Sequence, residues 1–248
     1  MYLELLTRMR SWFDLEHGLL EAAMHEVSSR AHGRLLDVGC GDKPYQGIFR
    51  PYVTEYVGLE YSETCSPAQL GQVDHVYQGD VLPFADAEFD TVLCNQVLEH
   101  VPAPDRFFAE LVRVLRPEGT LILTCPFSYR THSIPNDFHR FTSFALARYC
   151  ERHGLTVDSI APRGGFWAVI GQKIASHVAL QLGHLKSDAQ RIGAFGYEEA
   201  APERPRYWAL PAVGVTVALV VATTRVLGAL DPDQCDTLGY TLVAQKRQ

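Results

Sequence analysis

The feature that most constrains the fold of this chain is the alternation of short apolar runs with longer helical patterns. The apolar runs predict strands over residues 34–38, 56–59, 75–77, 91–95, 120–124, 155–160 and 237–244. The helical patterns cover residues 12–30, 104–115, 166–185 and 207–230, and a further helix that Thr142 or Ser143 would cap runs to His153. Such alternation predicts an α/β fold in which a largely parallel sheet has helices on both faces.

The length of the chain favours one domain. With 248 residues it can form one sizeable α/β core, whereas two full domains would be cramped. We therefore expect a single domain of residues 1–248, in which residues 1–32 form an N-terminal helical lid. The two helical segments between the sixth and seventh strands predict an insertion over residues 164–231 within that domain.

Charge and cysteine content indicate the kind of partner and the compartment. The net charge of −7 argues against nucleic acid as a partner, because binding phosphates requires a basic face. The six cysteines are scattered without a C-x-x-C pair, which fits a reducing cytoplasm better than a disulfide framework. The first residues lack the cationic start and apolar core of a signal peptide, so we expect a cytoplasmic protein.

A glycine-rich turn, DVGCG over residues 37–41, follows the first predicted strand. Gly39 and Gly41 allow the backbone to bend sharply and to approach a ligand closely. A dinucleotide site would need the pattern G-x-G-x-x-G, but Pro44 occupies the third glycine position, which disfavours a nicotinamide-dependent oxidoreductase. Asp37 would repel a pyrophosphate and would suit a cationic amino group, as on a methionine-like moiety.

Further polar residues follow the next strands in order. Glu60 ends the second predicted strand about 20 residues downstream, where a carboxylate can accept from both hydroxyls of a ribose. The sequence GDVLPF follows the third strand, and there Asp80 can accept from an adenine amino group while Val81 and Leu82 lie against the ring. The fourth strand begins in the sequence EFD and ends at Asn95, followed by QVLEHV.

This series of motifs resembles the class I S-adenosylmethionine-dependent methyltransferases of the common bacterial type. The blocks that carry the resemblance are D-V-G-C-G, G-D-x-L-P-F, F-D-x-V and L-E-H-V, within residues 33–160. The resemblance implies a Rossmann-like, seven-stranded sheet that is parallel except for an antiparallel last strand. It also implies S-adenosyl-L-methionine as cofactor and a small-molecule acceptor.

Residue by residue, the resemblance implies three groups of cofactor contacts. Those at the methionine end would be Asp37, Gly39 and Gly41. The ribose would bind Glu60, the adenine Asp80 and Val81, and Asn95 would line the pocket near the methyl group. The sequence departs from the family pattern at Lys43, where many relatives have a third glycine or another small residue, and this leaves the loop shape open.

Two histidines are candidates for chemistry at the acceptor. A base would assist methylation of a hydroxyl, and a histidine titrates in the suitable range. His139, in the sequence NDFHRFT after the fifth strand, is the better candidate for acceptor contact, although a role at the helix entry fits it as well. We interpret His100 as a structural or pocket-lining residue more readily than as the base. No group of residues has the spacing of a metal site, and we expect none.

The segment over residues 207–230 is apolar on all sides and must be buried somewhere. It could pack on the helix over 166–185, form a homodimer interface or rest on a membrane. We favour the first two together, because the polar face of an interfacial helix is missing and Pro211 and Gly214 weaken a membrane span. The functional hypotheses are thus a small-molecule methyltransferase or a non-catalytic cofactor-binding scaffold that acts through this insertion.

Overall fold

The computed structural model describes residues 14–63, 73–133, 135–181, 192–193, 196–197 and 210–248. Its strands are β1 (Arg34–Val38), β2 (Glu55–Tyr61), β3 (His75–Tyr77), β4 (Phe89–Asn95), β5 (Leu115–Pro126), β6 (Leu155–Arg163) and β7 (Gly239–Lys246). Its helices are α1 (Leu15–Val27), α2 (Gln46–Phe49), α3 (Pro104–Val114), α4 (Ser143–Arg152), α5 (Phe166–Gln181) and α6 (Leu210–Leu230). A short hairpin pairs Ile192–Gly193 with Gly196–Tyr197. The predicted helix ends at residues 12–13, 182–185 and 207–209 lie outside the described residues.

The chain divides into two compact units. The larger unit comprises Ala22–Phe127, Phe138–Ala161 and Tyr240–Gln248, and it holds nearly all of the sheet. The smaller unit comprises the described residues of Met1–Glu21, Ser128–Asp137 and Pro162–Gly239, including α5 and α6.

The predicted sheet topology is confirmed. Seven strands lie in the order β3-β2-β1-β4-β5-β7-β6. The pairs that join β1 to β2 and β4, β2 to β3, and β4 to β5 are all parallel. The last strand, β7, is antiparallel and lies between β5 and β6. The chain therefore reverses its direction of travel across the sheet between β1 and β4, and a crevice for a ligand is expected at the carboxyl ends of these strands.

Apolar side chains on both faces of the sheet form the core of the larger unit. Leu36, Val92 and Leu121, on three neighbouring strands, are fully buried together with Phe108 and Leu111 of α3. This burial explains why the strands are near-continuous apolar runs rather than alternating ones.

The F-D-x-V block has a structural role at the amino end of the sheet. The Asp90 carboxylate accepts a hydrogen bond from the Arg34 amide at 2.8 Å and another from the Arg116 guanidinium at 2.7 Å. A Cβ on Gly33 would lie 2.2 Å from that carboxylate, and Gly33 has a φ of +58°. Asp90 thus fixes the start of β1, which is possible only because a glycine precedes that strand.

Two local details of the sequence prediction have different outcomes. Thr142 is the N-cap of α4, and its hydroxyl accepts from the Ala145 amide at 3.1 Å, as predicted. The helix predicted to end at residue 115 ends at Val114, and the Pro117-Glu118-Gly119 sequence that follows lies inside β5. Phe89 of β4 is paired with Leu115 of β5, and Thr91 is paired with Thr120, so the register shifts between these two pairs. The β5 residues 116–118 within this irregularity are exposed.

Within the smaller unit, α6 packs on α5 through one stripe of its surface. Val213, Val217 and Val221 are buried, at a spacing of four residues, against Ala175 of α5 and Leu15 of α1. Gln172 and Thr224 are also buried along these helices. The predicted contact between the two helical segments is therefore present.

The opposite face of α6 is apolar and exposed. Val215, Leu219 and Val226 are each more than half exposed. Residues Pro211–Leu230 are long and apolar enough to cross a membrane by length and composition, with a mean hydropathy of 1.9, and 22% of that stretch is buried. One such helix is weak support for a membrane span, since buried core helices pass the same criterion, but most of this helix is not buried.

Candidate functional site

The pairing of the central strands brings three predicted site residues into one row. Val38 is paired with Leu59 on one side and with Cys94 on the other. The next residue on each strand, in the direction of the carboxyl end, is Gly39, Glu60 or Asn95. The resemblance predicted these three positions separately, and the sheet register places them side by side where the strand order reverses.

The turn after β1 requires glycine for two reasons. Gly39 has a φ of +74°, and a Cβ there would lie 2.4 Å from Cγ2 of Val97. Its amide donates to the Leu59 carbonyl at 2.8 Å, which ties the turn to the end of β2. Gly41 has a φ of +53° and turns the backbone a second time. The two glycines thus turn the chain sharply at the carboxyl end of β1, with the Val97 side chain packed against Gly39.

Glu60 is held in place by backbone amides. The side chain is largely buried, with 8% of its surface exposed. One carboxylate oxygen accepts from the Gly41 amide at 2.8 Å and the other accepts from the Tyr61 amide at 3.0 Å. Both oxygens of the carboxylate thus accept from backbone amides, and these two bonds fix Glu60 at the carboxyl end of β2.

Asp37 lies inside the sheet, one residue before the end of β1. Its side chain is 3% exposed, and its carboxylate accepts from the Tyr56 hydroxyl at 2.6 Å. The pKa of Asp37 is raised to about 7, mainly by burial and also by the nearby Glu60 carboxylate, while Tyr56 and Lys43 act to lower it. The group can therefore change its charge near neutral pH and would be favoured in its ionised form by a bound cation.

Lys43, the departure from the family pattern, adopts the conformation of the glycine that it replaces. Its φ is +54°, in the left-handed region. The side chain runs beneath β2, where a Cβ on Gly58 would lie 2.3 Å from its Cε, and its ammonium contacts the Asp74 carboxylate at 2.6 Å. The same Asp74 oxygen accepts from the Gly58 amide at 2.6 Å. The lysine thus fastens the loop to β2 without changing the turn before it.

The residues predicted to contact the adenine and the residue predicted to line the pocket differ in how firmly they are held. The Asn95 side chain accepts from the Thr124 hydroxyl at 2.6 Å, which fixes it at the end of β4. Asp80 and Val81 are exposed after β3, Val81 to 65%. Burial raises the pKa of Tyr77, and the carboxylates of Glu60 and Asp80 add to this effect. Asp80 and Val81 are accessible to a ligand.

The two candidate histidines lie close to one another along the backbone of the larger unit. His100 belongs to the 3-10 turn after β4, and its Nε2 is 3.7 Å from Oε1 of the fully buried Glu99. The amides of Phe138 and His139 donate to the Glu99 carbonyl at 2.9 and 3.2 Å. The structure thus attaches the His139 segment to the L-E-H-V block, at the carboxyl end of β4.

The imidazole of His139 lies among aromatic rings. Its ring centroid is 5.5 Å from that of Phe141 and 6.3 Å from that of Phe138. Its Nε2 is buried and has no hydrogen-bond partner among the residues that the structure describes. A buried polar nitrogen without a partner is energetically costly, which is typical of a group that acts on a ligand.

Sequence reasoning missed three residues that shape this site. Tyr56 donates to Asp37 from the neighbouring strand, Val97 packs over Gly39, and Asp74 holds Lys43. Tyr56 and Asp74 could not be recognised, because each acts across a strand pair whose register is a tertiary property. Val97 lies in the quoted Q-V-L-E-H-V sequence but carries no sign of its packing role.

Comparison with known proteins gives a consistent result. Residues 36–123 match the family model described as a methyltransferase domain. An uncharacterized methyltransferase of Mycobacterium marinum is 34% identical over 131 residues, which are 48% of this chain and 51% of that protein. One from Mycobacterium tuberculosis is 32% identical over the same shares. The chain thus spans about half the length of the curated relatives that it matches.

Solved structures of similar fold cover most of the chain. A SAM-dependent methyltransferase from Archaeoglobus fulgidus has a TM-score of 0.53 at 12% identity, and the match covers 92% of this chain and 94% of that protein. The [4+2]-cyclase SpnF has a TM-score of 0.51 at 21% identity, with 92% and 80% covered. At these identities the likeness shows the fold alone. Residues 36–123 therefore match a methyltransferase domain by sequence, and the Rossmann-like fold of the chain is also found in solved methyltransferases.

Proposed function

We propose that this chain is an S-adenosylmethionine-dependent methyltransferase that acts on a small-molecule acceptor. A hydroxyl group of a sugar, a natural-product scaffold or a lipid-linked precursor is the acceptor that we favour. The observation that carries the proposal is the row of Gly39, Glu60 and Asn95 at the point where the strand order reverses. The match of residues 36–123 to a methyltransferase domain supports it.

The residues at this edge of the sheet fit the cofactor. Gly39 and Gly41, both at positive φ, allow the backbone of the turn to approach a ligand closely at the methionine end. Asp37 would balance the charge of the amino group, and Glu60 would accept from the ribose hydroxyls. Asp80 and Val81, both exposed, would contact the adenine. When bound, S-adenosylmethionine supplies an electrophilic methyl group.

The protein's own contribution would be positioning and, for a hydroxyl acceptor, removal of a proton. Asn95 is fixed by Thr124 and would orient groups at the end of β4. The Nε2 of His139 would accept the acceptor's proton and so gain the partner that it lacks in the described structure. Since this nitrogen has no exposed surface, the acceptor would reach it only after a local movement of the 138–141 segment.

Calorimetric titration with S-adenosylhomocysteine tests cofactor binding. Glu60→Gln should weaken binding about tenfold or more, because hydrogen bonds to a charged group contribute about 1.5–3 kcal/mol. Glu55→Gln is the matched control, since Glu55 is an exposed residue at the opposite end of the same strand, where it pairs with Arg34. Equal affinities in wild type and Glu60→Gln, or tight binding of NAD instead, would refute the assignment.

The role of His139 is tested by activity once an acceptor is found in cell extract. His139→Ala should lower turnover by about 10²–10⁴-fold if the residue is the base, and should leave S-adenosylhomocysteine binding unchanged. His100→Ala should affect turnover less, because we assign His100 to the lining of the pocket. Full turnover of His139→Ala would remove that residue from the mechanism.

The second candidate function is a cofactor-binding scaffold without catalysis. The exposed apolar face of α6 is the observation that favours it, since such a face is typical of a surface that binds a partner. The retained polar residues Glu60, Asp80 and Asn95 favour the enzyme. Release of S-adenosylhomocysteine on incubation with cell extract would support the enzyme, and cofactor binding without any release would support the scaffold.

A further inference from the structure

A second, separate site lies in the smaller unit. A cavity of about 200 Å³ opens there between residues 128–130 and one face of α5. The α5 residues that line it are Gln172, Lys173, Ser176 and His177, whose spacing places them on one side of the helix. The volume is below the 300–1,000 Å³ of sites for drug-sized ligands, so it suits a small charged group rather than a large apolar one.

The lining of this cavity is cationic. It includes the cations Arg130 and Lys173 together with the His177 imidazole, and none of the described residues that line it is acidic. This local charge is opposite to that of the whole chain, whose net charge is −7. A concave surface with cations and without carboxylates attracts anions, because field lines converge in a cleft.

Two carboxylates of the smaller unit influence Tyr129, one of the residues that line the cavity. Asp14 and Glu16 both act on Tyr129, whose pKa is raised to about 12, first by burial and then by these two charges. The Glu16 carboxylate is paired with the Arg163 guanidinium at 2.5 Å, where both side chains are nearly inaccessible to solvent. Asp14 accepts from the His17 amide at 3.3 Å. The positive charge of Arg163 therefore offsets the charge of Glu16.

Neutral donors complete the cavity, and its walls are held firmly. The Ser128 amide donates to the carbonyls of Thr237 and Leu238 at 3.3 and 3.2 Å, which anchors the segment before Arg130. The Gln172 side chain accepts from the Glu16 amide at 3.3 Å and donates to the Ser176 hydroxyl at 3.3 Å. The hydroxyl protons of Ser128 and Ser176 are free to turn toward an anion, since a hydroxyl rotates to suit its partner.

We propose that this cavity binds the carboxylate or phosphate group of a small molecule, with Arg130 and Lys173 as the charged contacts. Guanidinium and ammonium groups together with hydroxyls form the usual donor set for such anions. A merely solvated helix face would not explain why the cations converge on a cavity. The proposal goes beyond the cofactor site and does not depend on it, because every residue that carries it belongs to the smaller unit.

Thermal unfolding of the full chain, with inorganic phosphate or acetate added at constant ionic strength, tests the site. A saturable rise in Tm is expected for the wild type. Lys173→Ala and Arg130→Ala should each weaken the apparent affinity by up to about fivefold, the range for a partly exposed ion pair. Lys173→Arg should retain binding. A stronger effect of phosphate than of acetate would identify a phosphate ester as the ligand class, and the reverse a carboxylate.

Arg148→Ala is the matched control, since it removes one positive charge from an exposed ion pair with Glu151 on α4. No saturable effect of either anion, equal weakening by Arg148→Ala, or an equal response to tetramethylammonium would overturn the proposal. S-adenosylhomocysteine binding is measured on the same variants. If the wild type and all variants fail to bind S-adenosylhomocysteine but the wild type still binds phosphate, the proposed function is refuted and the proposed anion site is not.

Discussion

The carboxylate of Asp37 accepts a hydrogen bond from the hydroxyl of Tyr56 at 2.6 Å, between two neighbouring parallel strands of the sheet. One residue of this pair belongs to the turn motif that identifies the cofactor site, and the other is absent from every motif. Because Asp37 is almost inaccessible to solvent, its ionisation is linked to the stability of the fold.

The raised pKa of Asp37 makes the unliganded protein less stable as pH rises. The unfolded chain loses this proton near 3.8, whereas the folded chain keeps it until about 7. Between these values the folded state binds more protons, so the contribution of Asp37 to stability falls with rising pH, by on the order of 4 kcal/mol in total. The free energy of unfolding of Asp37→Asn, compared with that of the wild type, should therefore increase as the pH rises from 4 to 7, as measured by urea unfolding. Asp42→Asn, at an exposed site, is the control and should follow the wild type at every pH. If the stability of Asp37→Asn also follows the wild type at every pH, Asp37 is not buried as described.

Gly39 should not tolerate a side chain. Gly39→Ala forces a Cβ to within 2.4 Å of Val97 at a φ of +74° and should lower the free energy of unfolding by on the order of 2 kcal/mol. Gly47→Ala in α2 is the control, because nothing lies within 4 Å of a Cβ there. It should change stability by less than about 1 kcal/mol. Equal effects of the two changes in denaturant unfolding would show that the turn adapts.

Lys43 and Asp74 should be energetically coupled. The lysine is 10% exposed and the aspartate 44% exposed. Burial opposes ionisation of Asp74, but the Gly58 amide and the Lys43 ammonium outweigh it and lower the pKa of Asp74. A double-mutant cycle of Lys43→Met and Asp74→Asn should give a coupling energy of about 1 kcal/mol between the two side chains. This coupling energy should be lost as the pH falls below the usual range for aspartate, because Asp74 is then protonated. The Arg148–Glu151 pair, exposed at 77% and 64%, should give close to zero. A zero result for both pairs would mean that the loop is held by its backbone alone.

The two faces of α6 should respond differently to a charge. Val221 is fully buried and Leu219 is 64% exposed. Val221→Asp should therefore destabilise the smaller unit strongly, because it buries an unpaired charge, while Leu219→Asp should leave folding intact. Circular dichroism with thermal unfolding distinguishes the two. Similar destabilisation by both changes would indicate that the outer face is also packed.

We further expect the outer face of α6 to join two copies of the chain. Val215, Leu219, Ala222 and Val226 are exposed at spacings of four, three and four residues, the pattern of a seam between helices. Wild type should be a dimer by light scattering, and Leu219→Asp should be a monomer. A monomeric wild type that sediments with lipid vesicles would contradict this and would favour membrane contact.

The sequence by itself determined the features that depend on neighbouring residues and on strand order. The bounds of β1 and β3 were predicted as they stand, and Thr142 caps α4 as expected. Gly39, Glu60 and Asn95 were found because each follows directly on an apolar run, and parallel strands bring their carboxyl ends to one edge. The helix before β5 ends at Val114, one residue before the predicted end.

Only the tertiary structure decided how these residues act. The partner of Asp37 depends on which residue of β2 lies beside it, and burial by the whole sheet sets its pKa. The effect of Lys43 on the loop was open until Asp74 supplied a fixed contact across β2. The apolar helix over 210–230 has the same hydropathy on both faces, so only its packing on α5 shows which valines are buried. Register, burial and long-range contacts are properties of the assembled chain, and no local pattern contains them.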